Sequence, residues 1–292
     1  MSASPQRHPV SGCARGRTGA GAVAGGLVGA IGSAAGLRLG RALPPSLRAS
    51  WTRLNHAGRP VTLLEGPAWA LGVVAGHLVL KAMQPTRSMA ALPVVAVSAA
   101  ALGALDDLAG GATSKGLGGH LGALRRGEVT TGTLKVVGLA VVGLVGASLA
   151  DRGGMHRAGL LRTALGGAVI AGAANAVNLF DLRPGRALKV TLAAGSMLIL
   201  GPGSSTAAAA IGASLGVVGD DLAARSMLGD TGANAAGAVI GLAVVERSGT
   251  LGRAVVLAGI ATLTLASERV SFSTVIEAHP LLRGLDHWGR AP

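Results

Sequence analysis

The chain has 292 residues, of which half are hydrophobic and only 13% are charged. An ordinary soluble enzyme carries about 25% charged residues, and a chain this apolar is too hydrophobic to stay disordered in water. Composition therefore excludes both classes and leaves an integral membrane protein with several spans.

The net charge of +13 at pH 7 first suggests a nucleic-acid partner. We reject that partner because the basic residues stand singly between apolar runs, and the chain has 3 Trp, 2 Phe and no Tyr to stack on bases. Positive loops beside membrane spans explain the charge better. The single cysteine, Cys13, excludes an internal disulfide and a cysteine metal cluster.

Long apolar runs occupy most of the chain, and a membrane span needs roughly 20 such residues. We predict an all-α, polytopic helix bundle with about nine to ten transmembrane helices. The candidate spans are residues 19–36, 66–83, 89–105, 133–149, 158–178, 188–201, 203–218, 233–245 and 251–267. Their Gly and Ala suit close helix packing in lipid or reflect a GC-rich genome.

This pattern also predicts the domain boundaries. Residues 1–18 form a polar basic tail, residues 19–267 the transmembrane domain, and residues 268–292 a cytoplasmic tail. We see no convincing cleavable signal peptide.

With nine spans, the connecting segments fall on two sides of the membrane. All of the 13 acidic residues except Asp151 and Glu246 then lie on one side, together with most of the Lys and Arg. The positive-inside rule favours a cytoplasmic location for that side. Acids gathered on one face of a membrane protein indicate a polar site there.

Three polar clusters end or begin apolar runs on this face. The first is Asp106-Asp107, which directly follows the third run. Adjacent carboxylates repel each other unless a cation or a shared proton relieves them. Their alternative role is that of solvated acids at a helix end.

The second cluster is Asn175-Ala-Val-Asn178-Leu-Phe-Asp181. On a helix Asn175 and Asn178 share a face, and amide and carboxylate oxygens are ligands suited to Mg²⁺. The same side chains could instead hydrogen-bond between helices. Arg183 and Arg186 follow at once, and they suit either a diphosphate or topology-determining loop charge.

The third cluster comprises Gly219-Asp220-Asp221 and Gly229-Asp230-Thr231-Gly232. It sets Asp230 in a tight turn before an apolar helix, whose N-terminus favours anions. Lys115 and Lys135 flank the loop after the first cluster. Carboxylates for a metal with cations nearby describe a diphosphate site.

These clusters together resemble the polyprenyl-phosphate N-acetylhexosamine-1-phosphate transferase superfamily, which includes the phospho-N-acetylmuramoyl-pentapeptide translocase. The order of the motifs carries the resemblance, over roughly residues 50–240. The matching segments are Asn55-His56-Ala57-Gly58, Leu105-Asp106-Asp107, Thr130-Thr131-Gly132-Thr133-Leu134-Lys135, Asn175-Ala-Val-Asn178-Leu-Phe-Asp181 and Leu228-Gly229-Asp230-Thr231-Gly232.

The resemblance implies a polytopic enzyme of the bacterial plasma membrane with a cytoplasmic active face. It would use Mg²⁺ to move a sugar-1-phosphate from a UDP-sugar to a polyprenyl phosphate in cell-envelope glycan synthesis. It implies catalytic roles for Asp106, Asp107, Asp181 and Lys135, metal ligation by Asn178 and Asp230, and substrate binding by Asn175, Arg183, Arg186 and Lys115. The expected partners are the UDP-sugar, the lipid phosphate and the membrane, with a homodimer as an open option.

The chain departs from the family pattern at three places. After the acidic pair stands Leu108-Ala109-Gly110, without the further acid that some members carry. Leu182-Arg183-Pro184 stands where the family usually continues Gly-x-x-Gly-Leu, and the late histidine motif tied to sugar recognition is absent. His279 and His287 in the tail fit interfacial residues better than site histidines. Two other classes therefore stay open, namely a non-catalytic relative that binds lipid phosphate or nucleotide, and a small-solute transporter.

Overall fold

A computed structural model describes residues 11–55, 57–85, 87–109, 131–152 and 159–291. These residues form a helical bundle with one short β-hairpin. The helices are α1 (Ser11–Arg41), α2 (Pro45–Ala49), α3 (Glu65–Met83), α4 (Ala91–Ala109), α5 (Thr131–Arg152), α6 (Leu160–Phe180), α7 (Arg186–Met197), α8 (Ser204–Leu222), α9 (Gly229–Arg247), α10 (Thr250–Arg269), α11 (Phe272–Ala278) and α12 (Pro280–His287).

Six of these helices are long and apolar enough to cross a bilayer: α1 from Gly19, α3, α4, α5 from Gly132, α6 and α10. The all-α, polytopic class is thus confirmed. By length and composition the described residues hold fewer spans than the nine to ten that the sequence predicts.

The difference comes from three predicted spans, which correspond to α7, α8 and α9. Helix α7 has 12 residues, about 18 Å of helix, and the turn after it contains Gly201 and Gly203, both with positive φ. Helices α8 and α9 each have 19 residues but carry carboxylates at their ends. An apolar run that Gly201-Pro202-Gly203 divides was thus counted as two spans, although neither α7 nor α8 meets the length and hydropathy of a candidate span.

Helix α9 lies at the centre of the bundle, and nearly all of its residues are buried. Small residues let its backbone approach the neighbouring helices closely. A Cβ atom on Gly66 of α3 would come within 2.6 Å of the Gly232 nitrogen, and one on Gly103 of α4 would meet the carbonyl of Asp230. These glycines bring the ends of α3 and α4 against the start of α9.

The helices alternate between two ends of the bundle. At one end α1 and α8 finish together, where Arg41 Nη2 lies 3.0 Å from Asp220 Oδ1. At the other end Thr206 near the start of α8 donates a 2.7 Å hydrogen bond to Glu246 near the end of α9. Asp151 closes that second end through a buried ion pair with Arg253, 2.6 Å between Oδ1 and Nη2.

A β-hairpin that sequence analysis did not predict follows α2. Strands β1 (Thr52–Leu54) and β2 (Pro60–Thr62) pair antiparallel, with Thr52 opposite Thr62. In the turn the Asn55 side-chain oxygen accepts the backbone N–H groups of Ala57 and Arg59 at 2.9 and 3.0 Å. Met227 N–H donates to the Thr62 carbonyl at 3.0 Å, so the hairpin packs beside the segment that leads into α9.

Candidate functional site

Three of the predicted site residues, each from a different helix, meet at the first end of the bundle. The ammonium of Lys135 on α5 lies 2.6 Å from Asp106 Oδ2 at the end of α4. The same ammonium also pairs with Asp230 Oδ2 at the start of α9. All three side chains are mostly buried, so two carboxylates converge on one cation away from bulk water.

Asp107 faces the start of α9 rather than the ammonium. Its Oδ1 accepts the Asp230 N–H at 3.1 Å, and its Oδ2 accepts the Thr231 N–H at 2.8 Å and the Thr231 hydroxyl at 2.5 Å. A carboxylate at this point satisfies N–H groups that a helix leaves unpaired and matches the helix dipole. Asp107 therefore fixes the position of Asp230. Arg53 of β1 in turn donates to the Asp107 carbonyl.

Asp181 continues this cluster from the end of α6. Burial, and after it the charges of Asp221 and Asp230, raises the pKa of Asp181 well above its ordinary range, although the Gly229 N–H donates to it. Asp221 near the end of α8 is buried as well. Carboxylates this close and this buried favour a bound cation or retained protons.

A cavity of about 490 Å³ opens beside these acids. It is lined by Leu54, Asn55, Val61, Asp181, Leu182, Arg183, Pro184, Asp221, Ala224, Ser226 and Met227. The β-hairpin, the loop after α6 and the segment before α9 thus form its walls, and a small polar ligand fits its volume.

Several buried polar atoms at the cavity lack a hydrogen-bond partner within the described chain. They include Asn55 Nδ2 and Asp221 Oδ2. Behind Ser226, whose hydroxyl donates to Glu65 Oε2 at 2.5 Å, the other oxygen of Glu65 is also unpaired. An unsatisfied buried polar group costs about 1–3 kcal/mol, so this wall of the cavity is suited to a polar ligand.

Arg186, predicted to bind substrate, is instead a structural residue here. Its guanidinium is buried and forms two 2.8 Å hydrogen bonds to Asp286 of α12 and a third of 3.0 Å to Ser273 of α11. The sequence could not show this, because Arg186 and Asp286 are 100 residues apart.

The other predicted site residues lie at different places. Arg183 lines the cavity. Asn175 and Asn178 are half-buried on the last turns of α6, where the Asn178 carbonyl accepts the Asp181 N–H at 3.1 Å. Lys115 lies outside the described residues.

Sequence reasoning missed the parts of the site that depend on folding. Asp221 belongs to the third polar cluster of the sequence, but no role was predicted for it. Glu65 is a single acid at the start of a predicted span. The only signal for either was its position on the acidic face. Their shared surroundings result from the packing of α3, α8 and the hairpin.

The carboxylate and amide oxygens at this end of the bundle are donors of the type that Mg²⁺ prefers. Asp106 and Asp230 are paired with the Lys135 ammonium. A separate group in the tail, Glu277, Asp286 and His287, has ligand atoms within 4.8 Å of one another. In this group Asp286 is bound by Arg186 and Arg290.

Comparison with known proteins gives no independent assignment. No protein-family model matches the chain, and no curated protein sequence is significantly similar to it. The likeness to the transferase superfamily is therefore carried by the motif residues alone.

Proposed function

We propose that this protein is a magnesium-dependent transferase that moves an N-acetylhexosamine-type sugar-1-phosphate from a UDP-sugar to a polyprenyl phosphate. The observation that carries the proposal is the convergence of Asp106, Lys135 and Asp230 at the end of the bundle where Asp181 and Asp221 line a cavity. These residues come from the motifs that resemble the superfamily, and they meet although 124 positions separate Asp106 from Asp230.

In the proposed reaction an oxygen of the lipid phosphate attacks the sugar-bearing phosphorus of the UDP-sugar. The bond from that phosphorus to the bridging oxygen breaks, and UMP leaves with this oxygen and its electron pair. The products are a polyprenyl-diphosphate sugar and UMP. Such a transfer needs alignment and charge neutralisation more than a strong base.

Asp230 and Asn178 would hold the metal, which when bound neutralises charge on the diphosphate. The ammonium of Lys135 would contact a phosphate oxygen, held in place by Asp106. Asp107 positions Asp230 through the backbone of α9. Arg183 in the cavity wall is placed to pair with a second phosphate group.

The proposal locates the site at the cytoplasmic face of a bacterial plasma membrane, with the lipid phosphate entering from the bilayer side. It also treats α7, α8 and α9 as inner crossings that the outer helices shield. Arg247 at the end of α9 donates to the Leu200 carbonyl after α7, so α7 and its following turn together reach the second end. This arrangement makes nine passes.

The test measures radiolabel transfer from UDP-N-acetylglucosamine or UDP-MurNAc-pentapeptide to undecaprenyl phosphate in membranes that contain the protein. We expect a Mg²⁺-dependent lipid product, and we expect Asp230→Asn to reduce it at least a hundredfold, because the substitution removes a charged ligand. Glu277→Gln is the matched control, since it also converts a carboxylate to an amide but lies exposed in the tail.

A folded Asp230→Asn protein with unchanged product formation would contradict the metal-ligand assignment. Binding of Mg-UDP without product from either donor would instead favour the non-catalytic relative over the transferase.

A further inference from the structure

Helix α12 presents an apolar face that nothing in the described chain covers. Leu281 and Leu285 stand at the spacing i, i+4, so they share one side of the helix, and Trp288 follows directly after the last helical residue. Their exposed fractions are 67%, 57% and 76%. Arg283 lies on the opposite side and is also exposed. The helix is therefore amphipathic along its free surface.

The helix is held firmly against the bundle at another edge. Asp286 forms the paired hydrogen bonds with Arg186, and Lys189 donates to the Asp286 carbonyl at 2.7 Å. Phe272 of α11 stacks on Phe180 of α6 with ring centroids 5.3 Å apart. The apolar face is therefore fixed in orientation and cannot fold back onto the core.

The position of α12 is level with the ends of the helices. Phe180 ends α6, and Leu222, whose carbonyl accepts the Ala291 N–H at 3.1 Å, ends α8. Helix α10 ends at Arg269, and only two residues separate it from Phe272, where α11 begins. Several apolar side chains of α10 are exposed, among them Leu265, and Val270 directly after the helix is exposed as well. The apolar face of α12 therefore lies at the end of the bundle where α10, a candidate span, also ends.

Its composition matches the boundary between lipid headgroups and acyl chains. Trp is enriched at that depth because its ring is apolar and its N–H is polar, and amphipathic helices lie there with the apolar side inward. Of the three Trp residues, Trp69 is buried and Trp51 is half-buried, whereas Trp288 is almost fully exposed.

We propose that Leu281, Leu285 and Trp288 insert into the headgroup–acyl boundary of the bilayer, so that α12 is a membrane-surface anchor. The partner of this face is the lipid surface. Through Arg186, Lys189 and the Arg290 hydrogen bond of 2.8 Å to the Pro184 carbonyl, the anchor also holds the loop that carries Asp181 and Arg183. The inference does not depend on the reaction proposed above.

The test uses the full chain with Cys13→Ser and one new cysteine, either Leu285→Cys or the matched control Arg283→Cys. Each is labelled with an environment-sensitive fluorophore and reconstituted into phosphatidylcholine vesicles. We expect brominated lipid to quench the label at position 285 several-fold more than the label at position 283, and aqueous iodide to do the reverse. Leu281→Cys repeats the measurement independently should the first variant fold poorly.

Quenching of both labels by iodide, with none by brominated lipid, would overturn the proposal. So would protection of position 285 that disappears when the protein-to-lipid ratio is lowered tenfold, because a second copy of the chain would then be the partner.

Discussion

A single ammonium organises the candidate site at the level of residues. Lys135 neutralises part of the charge of Asp106 and Asp230, which would otherwise repel each other in a largely buried setting. An exposed pair of this kind contributes little, but partial burial makes each member sensitive to loss of the others. The site is thus arranged for a cation in its immediate surroundings.

Asp107 allows its structural and chemical roles to be separated. Asp107→Ala removes the acceptor for three donors at the start of α9, so we expect a loss of about 0.5–2 kcal/mol in unfolding free energy. Asp107→Asn retains an acceptor oxygen and should lose less. Thermal unfolding in detergent measures both.

Transferase activity of the same two variants provides the discriminating result. A positioning role predicts that Asn retains most of the activity that Ala loses. Equal and severe loss in both variants, with normal folding of Asn, would show that the charge of Asp107 takes part in the chemistry.

Spacing along the chain was enough to predict which residues belong to the polar end, but not which atoms they contact. Alternation of helices brings Asp106, Asp181 and Asp230 to one end, a consequence of span order alone. The bonds of Asp107 to Thr231 and of Arg186 to Asp286 depend on side-chain packing between distant segments. Sequence periodicity contains no information on that packing, so it could not predict Asp286 as the partner of Arg186.

At the level of elements, α4 and α9 meet through Gly103. A Cβ atom at this position would overlap the backbone carbonyl of Asp230, and backbone cannot move aside as a flexible side chain can. Gly103→Ala should therefore force the two helices apart and lower the unfolding free energy by about 1–3 kcal/mol. The separation should also weaken the contact between Lys135 and Asp230.

Gly259→Ala on α10 is the matched control for this prediction. Nothing lies within 4 Å of a Cβ atom at that position, so the higher helix propensity of Ala should leave stability unchanged or slightly raised. Paired thermal-unfolding curves of the two variants provide the measurement. A Gly103→Ala protein as stable as Gly259→Ala would show that the α4–α9 approach is looser than described.

The sequence predicted the helical class well because long apolar runs are a strong signal. It predicted more spans than the described helices show by length and composition, because it counted α7, α8 and α9, which are short or carry carboxylates at their ends. The β-hairpin was missed since its three-residue strands are too short to show alternation. Its turn was visible only as Asn55 and Gly58, which motif reading assigned to a family segment.

For the molecule as a whole, the docking of the C-terminal helices should depend on pH. Burial opposes ionisation of Asp286, but hydrogen bonds and charge from Arg186, together with Arg290, outweigh it and hold the pKa below its ordinary value. A depressed carboxyl pKa stabilises the docked state at neutral pH, and this contribution is lost as pH falls below about 4.

Hydrogen exchange of the amides in residues 288–291, corrected for the intrinsic rate, measures this docking. We expect protection to persist from pH 7 to pH 5 and to decline below about pH 4. In Asp286→Asn it should be low and nearly independent of pH. Equal protection in the two proteins would mean that the Phe180–Phe272 stack alone holds the helices.

The ion pair between Arg186 and Asp286 also has a consequence in time. The two residues are 100 positions apart, so at about 5–20 residues per second the ribosome needs roughly 5–20 s to reach the second after making the first. During that interval α8, α9 and α10 are synthesised, and the Arg186 guanidinium at the start of α7 cannot yet form its ion pair with Asp286. Helix α7 can therefore gain this contact with the C-terminal helices only after α8, α9 and α10 have been synthesised.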